Sequence, residues 1–294
     1  MHLTNLDLDT LRTLVLAADL GGYGQAAARL GRTPSAISLQ MKRLQAEVGA
    51  ELFRKRGRGV ALTEAGEIAL RFGRRILALN DELLDTIRGA SVAGTVRLGF
   101  SQDFADTVLP PVLLRFATLY PLVQMEVHIE GNGALVEGIE SRRLDVALAV
   151  GQADRPTAEV IGDMDLAWIA GPQFEPRIER PLPLVVLGPQ CVFRKRAIAL
   201  LEGVARPWRI AAVSPSLAGL WAAALGGLGV TARTALGLPA ALIANERLFD
   251  LPPLGTLPIT LHVPRDGVSD GVERLRAIIR DQVTSLERTR RRSG

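Results

Sequence analysis

With 294 residues, 48% hydrophobic and 22% charged, the chain is too long for one core and too apolar for disorder. One cysteine, Cys191, excludes an internal disulfide, and His2, His128 and His262 are too scattered to suggest a metal site, so neither a metal nor a cofactor is expected. The formal net charge is only +4, yet residues 29–58 hold eight cations (Arg29, Arg32, Lys42, Arg43, Arg54, Lys55, Arg56, Arg58) against Glu47 and Glu51, a local +6 on an otherwise acidic chain.

Clustered cations of this kind point to a polyanion contact made by one module, because counterion release needs neighbouring charges. Arg288, Arg290, Arg291 and Arg292 near the end read as a solvated terminus. Residues 1–19 set Asp7, Asp9 and Asp19 among leucines, unlike a basic and then apolar export signal, and no stretch approaches the roughly 20 apolar residues of a membrane span. A cytoplasmic protein is expected.

Leu8, Leu11, Leu14, Val15 and Ala18 recur at helical spacing, and Gly21-Gly22 ends that first helix. A second short helix spans residues 23–30, with Ala26, Ala27 and Leu30 inward. After the turn Gly31-Arg32-Thr33, Thr33 is a good N-cap and Pro34 a good first helical residue, since proline lacks the N–H that would be orphaned there. In the third helix Ile37, Met41, Leu44 and Val48 form one buried stripe, leaving Ser35, Ser38, Leu39 and Lys42 outward. Such a small, polar and basic face suits the major groove. Leu52-Phe53, the run 54–59 and then Val60-Ala61-Leu62 read as a hairpin with a basic tip that would grip the sugar-phosphate backbone. The predicted DNA contacts are therefore Arg32, Thr33, Pro34, Ser35, Ser38, Leu39, Lys42, Arg43, Arg54, Lys55, Arg56 and Arg58.

Thr63 is a plausible cap for a long helix in which Ile68, Phe72, Ile76, Leu79, Leu83 and Ile87 step by three or four, and Leu70, Leu77 and Leu84 add a heptad row. This stripe is wider than one small domain needs, which predicts pairing with a second copy. The helix should end near 89–94, where Gly, Ala and Ser accumulate.

From Thr95 the pattern changes to strands alternating with helices: strands over 96–100, 123–129 and 145–150, with a helix around 107–119 between the first two. Further strands are predicted at 182–187, 208–213 and 229–232, with Ser214-Pro215-Ser216 opening a helix, then a returning strand at 257–263 and a helix over 270–286. Ligand sites in such sheets lie beyond the carboxyl ends of strands, which selects the loops at Ser101-Gln102-Asp103, Gly131-Asn132-Gly133 and Gly151-Gln152.

Ala26-Ala27-Ala28-Arg29-Leu30, the run 35–44, Gly49-Ala50-Glu51-Leu52-Phe53-Arg54 and Leu62-Thr63-Glu64-Ala65-Gly66 together resemble the LysR-type regulators. Two positions depart, since the family usually has glutamine where Pro34 stands and glutamate where Gln45 stands. The first departure moves the expected base readout to Ser35, Ser38 and Leu39. The strand and helix order after residue 94 resembles the family's effector domain, with Cys191-Val192-Phe193-Arg194 and the run 214–221 similar to the branch containing LrhA and HexA.

The resemblance implies an α+β protein: an N-terminal winged helix-turn-helix (1–63), a long linker and dimerisation helix (64–93), and a C-terminal two-lobed α/β effector domain like the periplasmic binding proteins (94–294). Lobe I would take about 94–158 and 258–287, and lobe II about 159–257. By position, the effector contacts fall to Ser101, Gln102, Asn132, Gly151, Ser214 and Ser216. Implied partners are double-stranded promoter DNA, a second copy in a homodimer or homotetramer, a non-covalent small-molecule effector and, as an open further partner, RNA polymerase, with no membrane.

Competing readings find less support. Gly131-Asn132-Gly133 lacks the third glycine of a dinucleotide turn, with Val136 in its place, and Gly99-Phe100-Ser101-Gln102-Asp103 lacks the closing glycine of a nucleophile elbow, so an enzyme is not expected. A non-specific DNA coat would not need the large C-terminal region. Redox sensing by Cys191 has nearby cations in Arg194, Lys195 and Arg196 but no second cysteine to resolve it.

Overall fold

A computed structural model describes residues 5–56, 59–89, 92–177, 179–245 and 248–293. The chain forms two compact units, Met1–Arg88 and Gly89–Gly294.

Unit 1 opens with α1 (Leu8–Asp19), whose N-cap Asp7 accepts from the N–H of Thr10, followed by α2 (Tyr23–Leu30) and α3 (Pro34–Val48). Gly31 closes α2 in the left-handed region at φ 63°, where a side chain would be strained, so that α3 can start three residues later. Thr33 caps α3 and Pro34 occupies its first turn, as the sequence predicts. Leu11, Leu14, Ala17, Ala26, Ala27, Ile37, Met41 and Leu44 make one core, joined by Leu52, Phe53 and Leu77. Val48 is not part of the predicted stripe: it lies exposed at the last residue of α3. Strands β1 (Phe53–Arg56) and β2 (Gly59–Leu62) pair antiparallel from Phe53↔Leu62 to Arg56↔Gly59.

The helix α4 (Glu64–Gly89) starts from a tight knot. The Thr63 hydroxyl accepts from the N–H of Gly66 (3.0 Å) and donates to the carbonyl of Glu51 (2.5 Å), while the N–H of Thr63 donates to the carbonyl of Leu52 (3.1 Å). A Cβ on Gly66 would overlap that Leu52 carbonyl oxygen, which is backbone and has no rotamer to escape into. Gly66→Ala is expected to destabilise unit 1 by about 2 kcal/mol, measured by hydrogen exchange of the α1–α3 amides in the full chain. The heptad row divides: Leu70 and Leu77 are buried, with Leu77 in the core of unit 1, whereas Leu84 is exposed. Ion pairs Arg12–Asp81 and Arg74–Asp19 hold α1 beside α4.

Unit 2 begins with β3 (Gly94–Ser101), a 3-10 turn (Gln102–Phe104), α5 (Leu109–Leu119), β4 (Val123–Glu130), α6 (Asn132–Glu140), β5 (Val146–Val150), β6 (Ala158–Asp165) and β7 (Ala167–Ala170). It continues through β8 (Leu182–Val186), α7 (Val192–Gly203), β9 (Trp208–Val213), α8 (Leu217–Leu225), β10 (Thr231–Arg233), β11 (Ile243–Asn245), β12 (Thr256–His262) and α9 (Asp270–Ser293). The first lobe is a five-stranded sheet in the order β4-β3-β5-β12-β6. β3 runs parallel to β4 and β5, and β12 returns antiparallel between β5 and β6. β5 is buried throughout, which is why 146–150 reads as an unbroken apolar run rather than an alternating one. The second lobe has β10-β7-β11 and the parallel pair β8-β9, linked by a bridge between Leu184 and Val230.

The expected division of lobes at 158–159 and 257–258 is corrected here. β6 pairs along β12 from Thr256↔Asp165 to His262↔Ala158, so the first lobe runs through Asp165 and resumes at Thr256.

Candidate nucleic-acid interface and effector cavity

In unit 1 the predicted contact residues gather at the start of α3. Thr33 accepts from the N–H of Ala36 (3.3 Å) and shares a hydrogen bond with Ser35 (3.1 Å). Arg32 donates to Gln40 Oε1 (3.2 Å) and lies 4.0 Å from Asp9, which steadies it beside the helix. Pro34, Ser35, Leu39, Lys42 and Arg43 are exposed, and Ser38 is half-buried. Arg54 is exposed on β1; Lys55 and Arg56 belong to the same strand, and Arg58 lies outside the described residues.

Two glutamines have structural work that sequence reading did not assign. Gln40 donates to Thr10 (3.0 Å) and accepts from Thr13 (3.2 Å), binding α3 to α1. Gln45 Oε1 accepts the N–H groups of Leu52 (2.8 Å) and Phe53 (3.1 Å), docking the hairpin on α3. Both bonds use only an acceptor oxygen, which the side-chain amide of Gln45 supplies.

In unit 2 a cavity of about 640 Å³ opens between the two lobes. Its first-lobe wall includes Ser101, Gln102, Asp103, Asn132 and Glu130, and its second-lobe wall includes Cys191, Lys195, Pro215 and Arg233. Ser101, Gln102 and Asn132 line it together; Gly151, Ser214 and Ser216 do not. Asn132 is partly engaged, accepting the N–H of Val150 (2.9 Å). Ser214 bonds the backbone N–H and carbonyl of Ser216 (3.1 and 2.8 Å), and Ser216 caps α8 through Gly219 (3.3 Å), so both shape the Pro215 turn from behind. Gly151, at φ 77°, turns the chain so that Gln152 reaches the wall.

Gln102 crosses between the lobes. Its Oε1 accepts the N–H of Leu217 in the first turn of α8 (2.7 Å), and its Nε2 donates to the carbonyl of Pro215 (3.4 Å). Asp103 crosses beside it to Arg233, with Nη2 2.9 Å from each carboxylate oxygen. The hydrogen bond goes to Oδ2; among the described residues Oδ1 has no hydrogen-bond partner and is held by charge. Asp103 is 4% exposed and Arg233 3%, so this is a desolvated pair. Ser101 donates to Asp103 (3.0 Å), the Arg233 guanidinium stacks 4.1 Å from the Phe193 ring centre, and its Nη1 donates to Cys191 Sγ (3.5 Å). Neither charged residue was singled out from sequence, and nothing local marks Arg233 on a three-residue strand. At the cavity edge the paired hydrogen bonds from Arg143 (2.7 Å each) hold the Glu130 carboxyl below the usual carboxylate range, so it is ionised at neutral pH.

Behind the cavity His262 is fully buried. Thr260 gives its one hydroxyl hydrogen to the carbonyl of Gly151 (2.7 Å), so it must accept from Nε2–H of His262 (2.9 Å), and Nδ1 then accepts from Thr157 (3.0 Å). Burial, with a smaller contribution from the Arg155 charge, pushes His262 down to about 4, keeping it neutral.

Two family models divide the chain: residues 8–67 match the bacterial regulatory helix-turn-helix protein of the lysR family, and residues 89–284 match the LysR substrate binding domain. The chain belongs to the LysR family. It is 37% identical to the HTH-type transcriptional regulator DgdR of Burkholderia cepacia over 89% of each chain. It is 34% identical to the HTH-type transcriptional regulator PecT of Dickeya dadantii (strain 3937), over 78% of this chain and 73% of that one. Full-length BenM shares the fold with a TM-score of 0.53 at 18% identity, covering 96% of this chain and 98% of that one. As a LysR-family member this chain is a DNA-binding transcriptional regulator with a substrate-type effector domain, and the relatives named are regulators, not enzymes. Among the described residues no helix is long and apolar enough to cross a membrane.

Proposed function

We propose that α3 enters the major groove of promoter DNA while the hairpin β1-β2 grips the adjoining backbone. The observation that carries this is the exposed run of short polar and basic side chains on the capped start of α3, in one unit with the basic strand β1. Ser35, Ser38 and Leu39 face base edges, with Arg32, Thr33 and Pro34 at the helix entrance; Lys42, Arg43, Arg54, Lys55, Arg56 and Arg58 neutralise phosphates. Lys42→Ala is expected to weaken binding to all duplexes alike and to reduce the slope of log affinity against log salt by about 0.9 for each reader bound. Titrations of the full chain at several salt concentrations read both, and an unchanged slope would remove Lys42 from the interface.

The functional segments are 1–63 as reader, 64–93 as linker and 94–294 as sensor, acting as a homodimer or homotetramer in the cytoplasm. Ile68, Phe72, Ile76, Leu79, Leu83 and Ile87 supply the pairing face: all are exposed, Leu79 at 63% and Ile87 at 66%, on one side of α4. A small molecule in the interlobe cavity is contacted by Ser101, Gln102 and Asn132, with Gly151, Ser214 and Ser216 supporting the turns that carry Gln152 and Pro215. Binding shifts the balance between two lobe arrangements, and RNA polymerase is the partner through which occupancy of the promoter is read. The motifs at 191–194 and 214–221 favour the branch of LrhA and HexA within the family.

A further inference from the structure

Resting on the assignment of α3 to the major groove, we propose that Leu39 recognises the C5-methyl group of a thymine, so that this position of the operator is selected by apolar contact. The side chains best suited to a paired hydrogen bond with a base edge are amides. Gln40 and Gln45 are the amides of this helix, and both are occupied inside the protein: Gln40 by Thr10, Thr13 and Arg32, Gln45 by the backbone of Leu52 and Phe53. Pro34 has no side-chain hydrogen-bonding group, and the Ser35 hydroxyl already shares a bond with Thr33.

Leu39 stands out on the face that remains. It is 52% exposed, more than any other large apolar side chain described in α1, α2 or α3. In a helix it shares one side with Ser35, Ser38 and Lys42, at spacings of four, one and three residues. Its near neighbours Ser35 and Ser38 are short, so the helix can approach a groove floor closely enough for a leucine to make contact. The thymine methyl is the apolar group on base edges in the major groove.

The test uses the full-length chain. Duplexes enriched from a random library are rebuilt with deoxyuridine replacing each thymine in turn, which removes the methyl and leaves the hydrogen-bonding groups of the base in place. Replacing the contacted thymine in both half-sites is expected to weaken binding about fifteenfold, about fourfold for each methyl-sized group lost. Leu39→Ala should weaken the thymine duplex by a similar factor and make that position indifferent to deoxyuridine. Leu39→Gln should move the preference there from thymine to adenine, and because residue 39 is exposed neither variant removes a core contact. If wild type and Leu39→Ala respond identically to every deoxyuridine while salt-sensitive duplex binding persists, this inference is overturned alone. Absence of salt-sensitive duplex binding would overturn the groove assignment with it.

Discussion

Arg233→Met is expected to cost unit 2 about 3–5 kcal/mol, because it leaves the Asp103 carboxylate buried without its counter-charge. The pair is desolvated, and among the described residues the Ser101 hydroxyl is the other side-chain donor to Asp103, so a neutral side chain at 233 offers nothing in return. Trp168, Trp208 and Trp221, all the tryptophans of the chain, lie in unit 2, so denaturant unfolding followed by tryptophan fluorescence reads this unit selectively. The double variant Asp103→Leu/Arg233→Met should recover most of the loss, since two apolar groups of similar volume remove both desolvation penalties. A loss below about 1 kcal/mol for Arg233→Met would mean that water reaches the pair and that it does not tie the lobes.

The second large effect is a loss of stability in acid. His262 in the folded chain titrates at about 4 against an ordinary 6.5, so between these values the unfolded chain binds a proton that the folded chain refuses. Stability is therefore fully present above about pH 6.5, falls as pH drops toward 4, and is lower by about 3 kcal/mol beyond it. His262→Asn should flatten this dependence by one proton while lowering stability at neutral pH, because the Thr157 and Thr260 bonds are lost. Urea midpoints measured from pH 7 to 4 on both proteins provide the check. An equal slope in the two would show that other groups carry the acid sensitivity.

The two effects converge on the same wall. The Asp103–Arg233 pair closes the interlobe cavity from within, and the His262–Thr260 bonds hold the Gly151 turn that presents Gln152 to it. Neither was visible from sequence. His262 reads as an isolated histidine in an apolar strand, and its importance depends on Thr157 folding onto it from 105 residues away. Asp103 and Arg233 are 130 residues apart, and no periodicity relates an acid after one strand to a base within another.

What the sequence determined was everything carried by short-range rules: the break at Gly21-Gly22, the capped start of α3 at Thr33 and Pro34, the basic hairpin, the run of α4, and the order of strands and helices that places Ser101, Gln102 and Asn132 at strand ends. Those features depend on side chains a few residues apart, which helical or extended geometry brings together in any context. What only the tertiary structure decided was which surface each residue met. It separated Leu77, in the core, from Leu84, in solvent, though both belong to one heptad row; it turned Gln40 and Gln45 inward; and it moved β6 into the first lobe by pairing it along β12. Partners distant in the chain are chosen by how whole elements pack, and that choice leaves no local pattern to read.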